Sequence, residues 1–368
     1  VGFAVEETAE FVASRLEEWG IEVERGVGKT GVVGILRGQV PGPTIAIRVD
    51  MDALPIQEEN THDFVSMYPG KMHACGHDGH IAMGLGAAKL LAQARQDLAG
   101  TAVLIFQPGE EGQGGAPAMI ADGVLRRHKV KAFVAGHLGV LSPELASGQV
   151  GISFRSLMAA VTTFQARVIG KGGHGAQPQD AIDPIVISAE VIGAWQRLIS
   201  REIPPLEPAV LTIGQIHGGS SHNIIPNEVF LQGTIRYFRP AVGKLLLARL
   251  EEVLAGTCRS WKAGYRFETD QAYPPLVNDP SFTQFFSEVA VELAGRQNVQ
   301  MLEFPLMVSE DASFFLDKVP GTYFLLGAGD PATSYPHHHP RFDLDESVLW
   351  LGAALLAGTA RRFKSREK

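Results

Sequence analysis

The sequence predicts an α/β protein built on a largely parallel sheet and interrupted by an inserted ferredoxin-like α+β domain. Three observations carry this. Short apolar runs at residues 44–49, 101–107 and 131–136 alternate with helical patterns such as 80–94, the order of parallel strands joined by crossover helices. Near residue 158 that alternation gives way to a β-α-β-β-α-β order, the split βαβ unit. At 368 residues the chain exceeds what one core usually serves, so two domains are expected: one from 1–158 with 272–368, and one over 159–271.

Val5, Ala9, Val12, Leu16 and Trp19 recur at helical spacing and Gly20 follows as a stop, so residues 5–19 read as an amphipathic opening helix. Residues 21–23 and 31–36 read as short strands, and Pro41-Gly42-Pro43 as a loop. The compact strand 44–49 ends in Asp50-Met51-Asp52, two carboxylates at the strand end where open α/β sheets place their sites. Small apolar residues over 80–94 predict a helix packed closely on the sheet, with Cys75 and His77 in the loop at its N-terminal end. Strand 101–107 leads into Glu110-Glu111, and strand 131–136 ends at His137. The inserted domain is expected to hold strands at 162–169, 209–215, 228–236 and 265–270 and helices at 183–198 and 242–254. After Tyr273-Pro274-Pro275 come a helix at 282–293, a strand at 321–326 and an amphipathic helix at 345–363. A polar loop, Tyr335-Pro336-His337-His338-His339-Pro340, lies between the last two.

Hydrophobic residues make up 45% of the chain and charged residues 20%, so two real cores are within reach and long disorder is not expected. A formal net charge of -8 argues against a nucleic-acid or anionic-membrane partner, which would need a basic surface. No apolar run is long enough to span a bilayer. Two cysteines, Cys75 and Cys258, make no disulfide framework and favour a reducing, cytoplasmic setting. The chain starts at Val1 and not Met, so N-terminal residues or a leader are expected to be missing and targeting is left open.

Met72-His73-Ala74-Cys75-Gly76-His77-Asp78-Gly79-His80 and Gln107-Pro108-Gly109-Glu110-Glu111 concentrate side chains that bind a borderline transition metal. Each also has an ordinary reading. Cys75-x-His77 by spacing alone can be a buried cysteine beside a helix-capping histidine, and His73 and His80 read as supporting or packing residues. Glu110-Glu111 can be a solvated charge pair, but adjacent side chains leaving a strand end point apart, which suits one to bind metal and one to move a proton. His137 alone reads as a structural histidine, and at most one of His337, His338 and His339 is expected to coordinate. His174, among Gly172, Gly173 and Gly175, has little to pack against and is expected to be exposed or to reach into a cleft. Asn223 and Arg236 read as turn and strand residues, although Arg236 also suits a substrate carboxylate.

With these residues assembled, the sequence resembles the M20 family of metallopeptidases and amidohydrolases, in particular its branch of hippurate hydrolases, auxin-conjugate hydrolases and N-acyl-amino-acid deacetylases. The carriers, spread over essentially the whole chain, are residues 50–55, 72–80, 108–112, Gly172-Gly173-His174-Gly175-Ala176-Gln177-Pro178, Asn223-Ile224-Ile225-Pro226, Gly233-Thr234-Ile235-Arg236 and His338-His339-Pro340-Arg341-Phe342. The resemblance implies a zinc-peptidase-like catalytic domain with a mixed, mainly parallel-centred sheet and an inserted lid and dimerisation domain. It implies two divalent metals bridged by Cys75, one also held by Glu111 and His338 and the other by His77 and His137. Glu110 is then the catalytic base and Asp52 a supporting carboxylate. His174 and Asn223 are implied to reach the partner subunit's active site, hence a homodimer or tetramer, and Arg236 to bind the substrate carboxylate. The family's His-x-x-Pro-Glu stretch before Gly2-Phe3 is absent, and the serine-rich stretch 218–222 is unusual.

The expected activity is hydrolysis of N-acyl-L-amino acids (acetyl, benzoyl or similar) by a metal-activated water with Glu110 as general base. A thiolate, imidazole and carboxylate set suits Zn, Mn, Co or Ni. The alternatives are an exopeptidase acting on short peptides at the same site and, more distantly, a non-catalytic dimeric binding protein of the same fold.

Overall fold

Ile45, Ala46, Ile47 and Val49 are buried, as are Val32, Val33, Ile35 and Leu36, and burial on both faces is what the interior strands of a covered sheet require. The structure, a computed structural model, describes residues 1–330 and 334–364, the side chains of Gln271 and Ala272 left aside. Among the described residues these strands belong to an eight-stranded sheet. Its order is Glu22–Val27, Gly31–Arg37, Ala99–Gln107, Val40–Asp50, Val130–Gly139, Gly321–Gly327, Val150–Ile152 and Val299–Met301. The four strands from Ala99–Gln107 to Gly321–Gly327 run parallel, and Gly31–Arg37 and Val150–Ile152 flank them antiparallel. The sheet is therefore mixed with a parallel centre. The chain divides into two compact units, one formed by Val1–Leu157, Leu276–Leu306 and Glu310–Lys368 and the other by Met158–Pro275 with Met307–Ser309.

In the first unit the helices His77–Gln93 and Leu349–Arg362 pack against each other, and one core gathers Leu91, Phe106, Phe286, Phe324 and Leu355. Three local expectations change. Pro41-Gly42-Pro43 lies inside the strand Val40–Asp50 instead of a loop, and the register shifts between Val40 and Thr44, where proline has no N–H to donate. The helix starts at His77, three residues before residue 80, because Gly76 at φ +81° turns the chain directly into it. His137 does not follow its strand but sits within Val130–Gly139, since pairing with Gly321–Gly327 continues through Leu138 and Gly139.

The second unit holds a four-stranded antiparallel sheet in the order Ala209–Gly218, Glu228–Tyr237, Ala160–Ile169 and Gly264–Tyr273. With the helices Pro184–Glu202 and Pro240–Ser260 this is the ferredoxin-like arrangement. Trp195 is fully buried at its core and its indole N–H donates to the Leu250 carbonyl at 2.8 Å, so the large ring brings no unpaired polar atom inside. Asp183 accepts from the Ile185 N–H at 2.9 Å and Pro184 opens the helix, an N-terminal cap worth about 1 kcal/mol. No helix among the described residues is long and apolar enough to cross a membrane.

Candidate metal centre

Parallel strands that end side by side bring their C-terminal residues together, and here the ends of Val40–Asp50 and Ala99–Gln107 pair Asp50 with Gln107. The loops that follow carry Asp52 and Glu110-Glu111. Asp52 is buried and its two carboxylate oxygens accept the backbone N–H groups of Glu110 at 3.0 Å and Glu111 at 3.1 Å. One carboxylate thus fixes the main chain under both glutamates.

The neighbouring helix begins at His77, whose Nδ1 lies 2.8 Å from the Asp52 carbonyl. A carbonyl only accepts, so Nδ1 carries the proton and Nε2 is left with its lone pair. That Nε2 is buried and has no hydrogen-bond partner. His137 is set in the same way: its Nδ1 donates to the Leu138 carbonyl at 2.8 Å, and its Nε2 stands 3.5 Å from Cys75 Sγ. Cys75, His77 and His137 offer donor atoms within 4.8 Å of one another. Cys75 belongs equally to a second group with Glu111 and His338, in which His338 Nε2 lies 3.2 Å from Glu111 Oε1. His77, Glu110 and Glu111 form a third. Two donor sets therefore share one sulfur.

Electrostatics agree with a cation at this place. Burial pushes the Cys75 thiol up to about 12, so the sulfur loses its proton near neutral pH only with a cation beside it. Burial opposes charge on His77, but Asp50 and then Cys75 outweigh it and raise the ring well above the usual histidine range, so a cation at Nε2 takes the place that a second proton otherwise fills. Burial, then His80 and His337, hold His137 well below the usual histidine range and keep its lone pair available. Burial, followed by Glu310, Asp311 and Glu111, raises the Glu110 carboxyl well above the usual range. A thiol, three imidazoles and a carboxylate with an unpartnered buried imidazole nitrogen fit a pair of borderline divalent cations.

The other histidines divide by their partners. His80 donates from Nδ1 to Asp50 at 2.5 Å and accepts the Leu138 N–H on Nε2 at 3.0 Å, so no nitrogen is left for a cation. Asp50 is itself fully buried; burial raises its carboxyl, but His77, His80 and Arg48 together hold it well below the usual carboxylate range. In the run of three, His337 Nε2 accepts the Val140 N–H at 3.2 Å and its ring lies over Gly139, where a Cβ would come within 2.2 Å of it. His339 stacks on Tyr335. His338 alone of the three joins Cys75 and Glu111, with a backbone φ of +67° held by its N–H to the Ala74 carbonyl at 2.7 Å. His73 enters none of these groups.

In the second unit, His174 ends the short strand Gly173–His174, which pairs with Ile224–Ile225. It is exposed, and its Nδ1 accepts the Ala176 N–H at 3.0 Å, so the neutral ring carries its proton on Nε2. Asn223 is exposed and accepts from Ser221 Oγ at 2.8 Å. Arg236 is half-buried, and one of its nitrogens donates to the Met307 carbonyl at 2.8 Å and to Ser309 Oγ at 3.0 Å.

The sequence patterns gave no role to Arg48, Glu310, Asp311 and Tyr323, all buried in the first unit, and none to the side chain of Gln107, which is buried beside them. Arg48 in the middle of an apolar strand was a usable signal, because a charge there demands buried partners.

A family model for peptidase family M20/M25/M40 matches residues 46–362. The chain belongs to that peptidase family. This M20 chain is 45% identical over 280 residues to an N-acyl-L-amino acid amidohydrolase of Geobacillus stearothermophilus, covering 76% of this chain and 74% of that protein. It is 40% identical over 365 residues to thermostable carboxypeptidase 1 of Saccharolobus solfataricus, covering 98% and 91% respectively. A crystal structure of a dinuclear metal binding peptidase of the M20 family from Bacillus subtilis superposes with a TM-score of 0.83 at 33% identity, over 98% of this chain and 92% of that one. The M20 chain is accordingly a metal-dependent hydrolase of amide bonds.

Proposed function

We propose that this protein hydrolyses the amide joining an acyl group to an amino acid with a free carboxylate, and that Glu110 is its general base. The observation that carries the reading is Glu110 itself: it is buried, its main chain is held by Asp52, and its carboxylate groups with His77 and Glu111, each of which also groups with Cys75. In this reading two divalent cations would be held by the donor groups that share Cys75, one by Cys75 with Glu111 and His338 and the other by Cys75 with His77 and His137. Such a pair would supply Lewis acidity and would bring the pKa of a water toward about 7. Glu110 takes the proton as the water attacks the carbonyl carbon and returns it to the leaving nitrogen, which balances the proton over the cycle. Donors to the carbonyl oxygen stabilise the tetrahedral stage by about 3 kcal/mol each. His174, with its N–H on Nε2, suits that role, and Arg236 and Asn223 suit the substrate carboxylate.

The amino-acid amidohydrolase relative, at 45% identity, supports an N-acyl-amino acid as substrate. The carboxypeptidase relative supports a second reading, an exopeptidase on short peptides. Rates on N-acetyl, N-benzoyl and indole-acyl amino acids against dipeptides, with Zn, Mn, Co and Ni in turn, separate the two. Faster dipeptide cleavage with every metal would reject the first reading. Cys75 and Cys258 are not joined in a disulfide, which suits a reducing, cytoplasmic compartment.

The reading includes a homodimer in which His174 and Asn223 serve the partner's site. Mixing Glu110→Gln and His174→Ala subunits, each inactive alone, then restores about one quarter of the wild-type rate, because half the sites in each mixed dimer are intact. No recovery after verified subunit exchange removes His174 from the partner's site.

A further inference from the structure

Behind the Glu110-Glu111 turn lies a buried polar cluster that no motif covers. Asp311 is its centre and is fully buried. Its Oδ1 accepts from Arg48 Nη2 at 3.0 Å and from Gln107 Nε2 at 2.7 Å, and its Oδ2 accepts the Ala116 N–H at 2.9 Å. These donors come from the strand Val40–Asp50, from the last residue of Ala99–Gln107 and from the helix Gly115–Ala121. The Gln107 amide oxygen in turn accepts from Arg48 Nε at 2.9 Å. Both carboxylate oxygens of Asp311 are thus committed to inward donors, while its backbone N–H donates to Glu110 Oε1 at 3.3 Å.

Glu110 needs such an anchor. The carboxylate oxygens of Glu110, Glu310 and Asp311 approach within 4.8 Å of one another, so like groups crowd the position. Glu310 is committed to its own partners, Arg48 and the Ala312 N–H at 2.9 Å each and the Tyr323 hydroxyl at 2.6 Å. A glutamate has three side-chain torsions, and a base must be held to a fraction of an ångström to be effective.

We propose that Asp311 is a positioning residue for Glu110, its side chain clamped by Arg48, Gln107 and Ala116 so that its backbone N–H holds one Glu110 oxygen in place. This rests on Glu110 being the base. Asp311→Asn sets an amide N–H₂ against one of the three donors and loosens the clamp at nearly constant volume.

The test compares wild type, Asp311→Asn, Glu110→Gln and the double variant for kcat, KM and bound metal. Asp311→Asn is expected to lower kcat about 10- to 100-fold with KM and metal content unchanged. Added to Glu110→Gln, it is expected to cost less than about twofold more, because a group that acts through Glu110 has nothing left to position. A merely structural role gives equal losses in both backgrounds, or a loss that tracks bound metal; either result, or a wild-type kcat, overturns the inference. A wild-type rate for Glu110→Gln sinks instead the reading of Glu110 as the base. If Asp311→Asn does not fold, Gln107→Met decides in its place: it removes one clamp donor and is expected to lower kcat about 3- to 10-fold, and an unchanged kcat in folded protein overturns the inference.

Discussion

Glu110→Gln is expected to lower kcat on an N-acyl-amino acid by about 10³-fold, with KM and bound metal nearly unchanged. The substitution preserves shape and removes only the site that accepts a proton. Glu110 is buried, and burial with Glu310, Asp311 and Glu111 raises its carboxyl well above the usual range, so an uncharged amide is tolerated there at a smaller desolvation cost than a carboxylate. Asp52 still receives the two backbone N–H groups, which keeps Glu111 in place. Steady-state kinetics beside elemental analysis check the result. A variant with both metals and a wild-type kcat assigns proton transfer to another group.

Cys75→Ser has an equally large effect by a different route. The sulfur belongs to both donor groups, with His77 and His137 on one side and Glu111 and His338 on the other. A serine hydroxyl stays protonated near neutral pH and offers neither set an anionic bridge, whereas the thiol, although pushed up to about 12 by burial, ionises against a cation. We expect loss of at least one metal per chain and a fall in kcat of about 10³-fold or more. Metal content after dialysis, with activity measured as metal is added back, is the check. Two tightly held metals in Cys75→Ser remove the sulfur from the bridge.

These two effects rest on features of different legibility. The helices, the parallel strands and the split βαβ order are visible in the chain because periodicity and turn chemistry are local. The chemical types Cys75, His77, Glu110 and Glu111 stand out for the same reason. The partition among neighbours does not. His80 looks as suitable for a cation as His77, yet it is saturated by Asp50 and the Leu138 N–H. His337, His338 and His339 are indistinguishable by type; the family motif points to His338, and the left-handed backbone at His338 and the close pass of His337 over Gly139 give that choice its physical basis.

Sequence by itself singled out the candidate donor types and the strand ends that lead into Asp52 and Glu110-Glu111, since side-chain chemistry and short-range pattern need no partner. Tertiary structure alone decided which nitrogen of each histidine is free, how Asp52 holds both glutamates from 58 and 59 residues away, and that Asp311 meets Arg48 across 263 residues of chain. The physical reason is that these are hydrogen bonds between segments brought together by sheet order and loop closure. A hydrogen bond depends on distance and direction in space, and residue type fixes neither.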